Sequence, residues 1–226
     1  MQASVRHAMS MLRPGATPGD FGTRRVVGVI VAAAPLAGAV IGAYALDSPE
    51  RLVQVLYSAL KLPLWLLATS SLCTPAYFVL CTAFGLRDDF RESLRAILSG
   101  QAVLTIVLAS LAPVVAFAYV SGIEYEQAKV FNAVLFAVGT FGAQITTRRL
   151  FRPLIAARPA HGAMLGVWTA LYVFVGVQMA WTLRPFIGHP GMPTTFFRSG
   201  AFTNAYVEVM HAVGRALHVN GPGVLR

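Results

Sequence analysis

Apolar and polar positions in this chain segregate into long blocks rather than alternating with a short period. Five stretches hold no Asp, Glu, Lys, Arg or His: Val26 to Leu46, Leu62 to Leu86, residues 96–123, Val130 to Thr147 and Gly162 to Leu183. Blocks of this length match the ~17–25 residues that a helix needs to cross a bilayer. Val130 to Thr147 is the shortest and lies near the lower limit. An apolar segment surrounded by lipid satisfies its backbone only through its own hydrogen bonds, so each block is expected to be helical. A membrane β-barrel would need short segments of alternating polarity, and that pattern is missing. The expected fold is an all-α, polytopic transmembrane bundle of five spans, with residues 1–25 before it and residues 184–226 after it.

Three segments outside the spans are amphipathic. From Pro49 to Leu60, Leu52, Val53, Leu56 and Leu60 share one side, which predicts a separate helix lying on the membrane surface. Arg87-Asp88-Asp89-Phe90-Arg91-Glu92 reads as a helix start, with Asp89 as cap and Glu92 as the return half of a capping box. Asp88 with Arg91, and Glu92 with Arg95, have ion-pair spacing. Phe90, Leu94 and Ile97 form a stripe running into the third span, and the segment looks like a cytoplasmic elbow at the membrane surface, with a partner-docking face as the alternative reading. From Asn204 to His218, Tyr206, Met210, Val213 and Leu217 fall on one face of a third amphipathic helix.

Composition sharpens the class. Of 226 residues 56% are hydrophobic and 12% charged, about half the charged share of an ordinary soluble domain. The 18 Lys and Arg are unevenly spread. Eleven lie before span one or between spans two and three or four and five: Arg6, Arg13, Arg24, Arg25, Arg87, Arg91, Arg95, Arg148, Arg149, Arg152 and Arg158. The other side holds Arg51, Lys61, Lys129, Arg184, Arg198, Arg215 and Arg226. Basic residues favour the cytoplasm, so the N-terminus is expected inside and the C-terminus outside a bacterial inner membrane. Thr23-Arg24-Arg25-Val26 and Ala43-Tyr44-Ala45 imitate a cleavable signal peptide, but the apolar run between them is longer than a signal core. The net charge of +9 suits anionic lipid headgroups, and no basic run with interleaved aromatics points to nucleic acid.

Helices in lipid pack closely through small residues. Ala34, Gly38 and Gly42 supply such a stripe in span one, Gly139 with Ala143 in span four, and Gly162, Gly166 and Ala170 in span five. Pro35, Pro75 and Pro113 are expected to kink their spans. Asn132, Gln144 and Gln178, with Ser70, Ser71, Gln101, Thr140 and Thr169, provide neutral polarity within the spans, either as hydrogen bonds between helices or as the lining of a polar path.

The sequence holds no nucleophile elbow, phosphate-binding glycine loop or zinc-protease motif, and no catalytic, cofactor or metal set is expected. Cys73 and Cys81 share one span at a spacing that forbids a disulfide within it. Glu208 and His211 stand i, i+3 apart without a second pair. His7, His161, His189 and His218 are expected to be solvated or interfacial. Spans free of ionisable groups argue against proton-coupled or ion-coupled transport.

The most distinctive segment follows span five. Trp181 and Arg184 suit the headgroup level, Pro185 stops simple continuation of the helix, and Gly188, Pro190, Gly191 and Pro193 stiffen a loop before Phe196 and Phe197 return to the interface. Trp181-x-Leu-Arg184-Pro185-Phe186-Ile-Gly188-x-Pro190-Gly191, with Lys61-Leu-Pro-Leu and Phe131-Asn132-Ala-Val, resembles an uncharacterised family of bacterial multi-span membrane proteins. That resemblance covers spans two to five and the tail, about 150 residues by the length of those segments, and it implies membership without an activity. Five spans with the N-terminus inside are also similar, more loosely, to the Yip family of membrane-trafficking proteins. The leading functional expectation is a non-enzymatic structural or accessory subunit contacting membrane lipids and other membrane-protein subunits or itself. The alternative is a small-molecule or lipid transporter or channel using the neutral polar residues.

Overall fold

The computed structural model describes residues 22–208 and 210, so most of the N-terminal segment 1–25 and most of the amphipathic segment Asn204 to His218, with His7, His211 and His218, lie outside the described residues. Five helices carry the fold: α1 Thr23–Gly42, α2 Pro49–Ala83, α3 Phe90–Val120, α4 Tyr125–Ala157 and α5 Ala160–Leu183. All five are long and apolar enough to cross a membrane, and no strand occurs among the described residues. The protein is a multi-pass membrane helix bundle.

Two of the helices overrun the apolar blocks that predict them by a wide margin. At 1.5 Å per residue the 35 residues of α2 extend about 52 Å, against a hydrocarbon core of roughly 30 Å. The 33 residues of α4 likewise exceed the 130–147 block at both ends. A charged residue therefore ends an apolar block without ending the helix. Nor do prolines end one: α1 continues through Pro35, α2 through Pro63 and Pro75, α3 through Pro113 and α4 through Pro153.

The segment Pro49 to Leu60 corrects the sequence reading. It is not a separate surface helix but the first third of α2. Its apolar face is the outward one, with Leu52, Val53, Leu56 and Leu60 between 41% and 58% exposed. Its polar face, Arg51, Gln54, Ser58 and Lys61, is buried in the bundle. Amphipathicity identified two faces but not which solvent each one meets. Where the outer medium is lipid, the apolar face belongs outside and the polar face needs protein partners.

Neighbour relations arrange the helices in a ring, in the order α1, α2, α5, α4, α3. Extensive packing joins α1 to α2 and α3, α3 to α4, and α2 to α5, whereas α4 and α5 touch only lightly. Phe117, Phe141, Val173 and Phe174 face outward with many other large apolar side chains, as a lipid-facing surface requires. One apolar cluster joins α1, α2 and α3 through Ile30, Leu66 and Leu104. A second, built on Tyr77, Ile97, Phe151 and Trp168, closes the end of the ring near residues 84–90 and 158–160, here called the elbow end. The opposite end, where the chain leaves α5, is the loop end.

At the elbow, Asp89 stands before α3 but its carboxylate makes no capping hydrogen bond. It meets His161 Nε2 at 3.0 Å and Arg158 Nη1 at 3.6 Å, joining the starts of α3 and α5. His161 is thus neither solvated nor interfacial but fully buried. The expected Asp88–Arg91 and Glu92–Arg95 pairs are not among the ion pairs of the described residues.

The small-residue stripes divide into two kinds. Gly38 and Gly42 lie against the backbone of α2; a Cβ on Gly42 would sit 2.7 Å from the Ser58 Cβ and 2.9 Å from the Gln54 carbonyl oxygen. Gly139 abuts Leu104, and Gly100, which the sequence pattern does not single out, abuts Thr147. By contrast a Cβ added at Gly166 would meet no neighbouring element within 4 Å, and one at Gly162 would meet only Ile155 Cδ1, at 4.0 Å. These two are not contact points inside the bundle, because α5 turns them away from its neighbours.

Two substitutions of one chemistry test this division. Gly42→Leu should lower stability by about 1–3 kcal/mol through overpacking, whereas Gly166→Leu should change it by less than about 0.5 kcal/mol. Reversible unfolding in mixed micelles, followed by circular dichroism, reads both.

Candidate functional site

Buried polar groups at the loop end begin with the spacing of α2. Residues 54, 58 and 61 follow i, i+4, i+7 and so share one face of a helix. All three are essentially unexposed, Lys61 at 0%. Polar side chains buried in a membrane bundle require partners, and the segment after α5 supplies them as backbone carbonyls. Lys61 Nζ donates to the Pro185 carbonyl at 2.9 Å and Ser58 Oγ to the Phe186 carbonyl at 2.5 Å. Gln54 Nε2 donates to both carbonyls at 3.3 Å and to Ser58 Oγ at 3.0 Å.

Pro185 follows a cis peptide bond after Arg184. The chain leaves α5 there, folds back over the ring and inserts Phe186 beside Trp65, with ring centroids 5.7 Å apart. Phe196 covers Lys61, the ammonium 4.9 Å from its ring centre, and packs edge-on against Tyr57. Gly188 admits the close approach of α2: a side chain there would sit 2.7 Å from Arg51 Nη1 and 2.9 Å from Gln54 Cγ. Pro190, Gly191 and Phe197 form the exposed edge of the same loop.

On the other flank Gln178 donates to the Thr203 carbonyl and accepts from the Ala205 N–H, both at 2.9 Å. Trp181 Nε1 donates to Thr203 Oγ1 at 3.2 Å, and the Arg184 guanidinium lies 3.4 Å above the Trp181 ring. Tyr206 stacks on Phe174 and donates to its carbonyl at 2.6 Å. Burial pulls the Arg184 pKa below its ordinary value, Arg198 adds to this, and Glu208 opposes it.

Beneath this cover is a cavity of about 610 Å³ walled by α2, α3, α4 and α5. Trp65, Leu104, Phe136, Trp168 and Val177 are among its apolar lining, Gln144 and Thr140 add polarity from α4, and Arg184 and Trp181 stand at its loop end. Trp65 is fixed in the wall by donating to the Gly176 carbonyl at 2.9 Å and by stacking on Phe136. The cavity reaches α4 and α5, the weakly joined pair of the ring.

The sequence-derived candidates therefore separate. Trp181, Arg184, Pro185, Phe186, Gly188 and Phe196 come together, and Gln178 holds the same loop from α5. Gln144 lines the cavity. Asn132 does neither: it donates to Tyr119 Oη at 2.8 Å and to the Ala128 carbonyl, tying α4 to α3. Arg51, Gln54, Ser58 and Lys61 belong to the site and are not singled out by the sequence pattern, which marks the apolar face of residues 49–60 and leaves its polar face unread. Among the described residues no three His, Cys, Asp or Glu side chains gather to hold a metal ion. Comparison with known proteins finds no matching family model, curated protein or solved structure.

If these carbonyl contacts hold the loop, Ser58→Ala should destabilise it locally by about 1 kcal/mol and speed exchange of its amides roughly fivefold, without altering the helix core. Hydrogen exchange across residues 186–199, read by mass spectrometry, distinguishes this from global loosening.

Proposed function

We propose that this protein is a non-enzymatic lipid-binding component of a bacterial inner membrane, taking an amphipathic anionic lipid with its tail in the central cavity and its headgroup at the loop end. The reading rests chiefly on the cavity of about 610 Å³ with a predominantly apolar wall. That volume falls within the ~300–1,000 Å³ of pockets that take small molecules. The slight contact between α4 and α5 offers a lateral route from the bilayer, which suits a ligand already dissolved in lipid.

Charge supports the orientation of the ligand. Arg184 borders the cavity, while Arg198 and Lys129 stand with it around a neighbouring cleft. Guanidinium groups at an interface favour phosphate and carboxylate headgroups. By the positive-inside rule, Arg87, Arg91, Arg95, Arg148, Arg149, Arg152 and Arg158 put the elbow end in the cytoplasm and the loop end outside. The lipid would then come from the outer leaflet of that membrane.

A second reading, an accessory subunit of a larger membrane assembly, draws on the open surface beside Gly166 and Gly142, where nothing lies within 4 Å. Small residues left free on a lipid-facing surface permit close approach of a helix from another chain.

Native mass spectrometry from mild detergent tests both. The lipid reading expects a lipid-mass adduct on the single chain, retained by Gln144→Leu and weakened at least roughly tenfold, about 1.4 kcal/mol, by Gln144→Trp, which intrudes into the cavity. Equal adducts in both variants would mean lipid held only on the outer surface. A stoichiometric second protein with no lipid would favour the subunit reading.

A further inference from the structure

A second cavity, of about 400 Å³, lies between the start of α2 and the loop after α5. Its wall includes Arg51, His189, Thr194, Thr195, Arg198 and Ser199, and among the described residues no acidic side chain lines it. Arg51 is only 5% exposed. Its Nη2 is buried without a hydrogen-bond partner, and the ion pairs of the described residues all lie elsewhere. A guanidinium removed from water without a counter-charge is strongly unfavourable.

Nothing about the fold requires a charge at this position, since Gln54, Ser58 and Lys61 already hold the loop carbonyls. Gly188 nevertheless leaves room for Arg51 to reach beneath the loop. Among the described residues the Arg198 guanidinium hydrogen-bonds to the Met192 sulfur alone, at 3.3 Å, so a second guanidinium remains available to an anion. Two planar forks with three hydroxyls around them match a group presenting several oxygens and negative charge.

We infer that this cavity is a binding site for a phosphate group, held by Arg51 and Arg198. The phosphate belongs either to a lipid headgroup or to a free anion; the donors required are the same. The inference does not depend on a tail occupying the central cavity, and Gln144→Trp should leave it intact.

Thermal unfolding of the full chain in nonionic detergent tests it, with inorganic phosphate and dihexanoyl phosphatidic acid as probes against chloride of equal ionic strength. Wild type should rise in midpoint with at least one phosphate probe. A response to phosphatidic acid alone supports a headgroup site, and equal responses per phosphate support a free-anion site. Arg51→Gln should lose the response while melting no lower than wild type in phosphate-free buffer, because it removes an uncompensated charge. Arg198→Gln, altered at the loop surface, should weaken the response without loss of fold. The inference is overturned if wild type responds to neither probe, if both variants respond as wild type does, or if Arg51→Gln melts lower without phosphate and phosphate leaves wild type unchanged.

Discussion

The structure depends on how a membrane bundle treats a polar helix face. In lipid no water receives the side chains of Gln54, Ser58 and Lys61, so they turn inward and take the carbonyls of Pro185 and Phe186 as partners. That demand draws the segment after α5 back across the ring. The Pro and Gly residues give the segment the shape to meet it, Phe196 and Phe186 seal around the contact, and Gln178 and Trp181 pin its far side.

The ring has one well-packed half and one open half. Gly38 and Gly42 bring α1 against α2, and Gly100 and Gly139 bring α3 and α4 together, so backbones approach closely there. Between α4 and α5 large side chains hold a space rather than fill it. A cavity so walled has the Tyr77 and Phe151 cluster at one end and Arg184 at the other. The groups lining it offer apolar surface together with the hydrogen-bonding side chains of Thr140, Gln144 and Trp181.

Much of the fold was legible in the residue pattern. Five uncharged blocks translate directly into five helices because helices alone satisfy isolated backbone in lipid. The loop after Leu183 was legible as a special segment from its Pro, Gly and aromatic spacing. Three things were not. The fusion of residues 49–60 into α2 was hidden because Lys61 looked like a boundary, whereas a covered lysine with a carbonyl partner interrupts nothing. The burial of His161 depended on Asp89, 72 residues away. The stripe of Gly162 and Gly166 has the same spacing as Gly38 and Gly42, and only the ring order separates a packed stripe from an open one.

The inward turn of the α2 polar face is open to a direct measurement in intact membranes. In a background with Cys73→Ala and Cys81→Ala, Ser58→Cys should resist a membrane-impermeant maleimide until the protein is denatured, because residue 58 is covered by the loop and by α1. Rapid labelling of Ser58→Cys in the native membrane would instead mean that residues 49–60 lie on the surface with their polar face in water, and the account of the loop, the cavity and its cations would be contradicted.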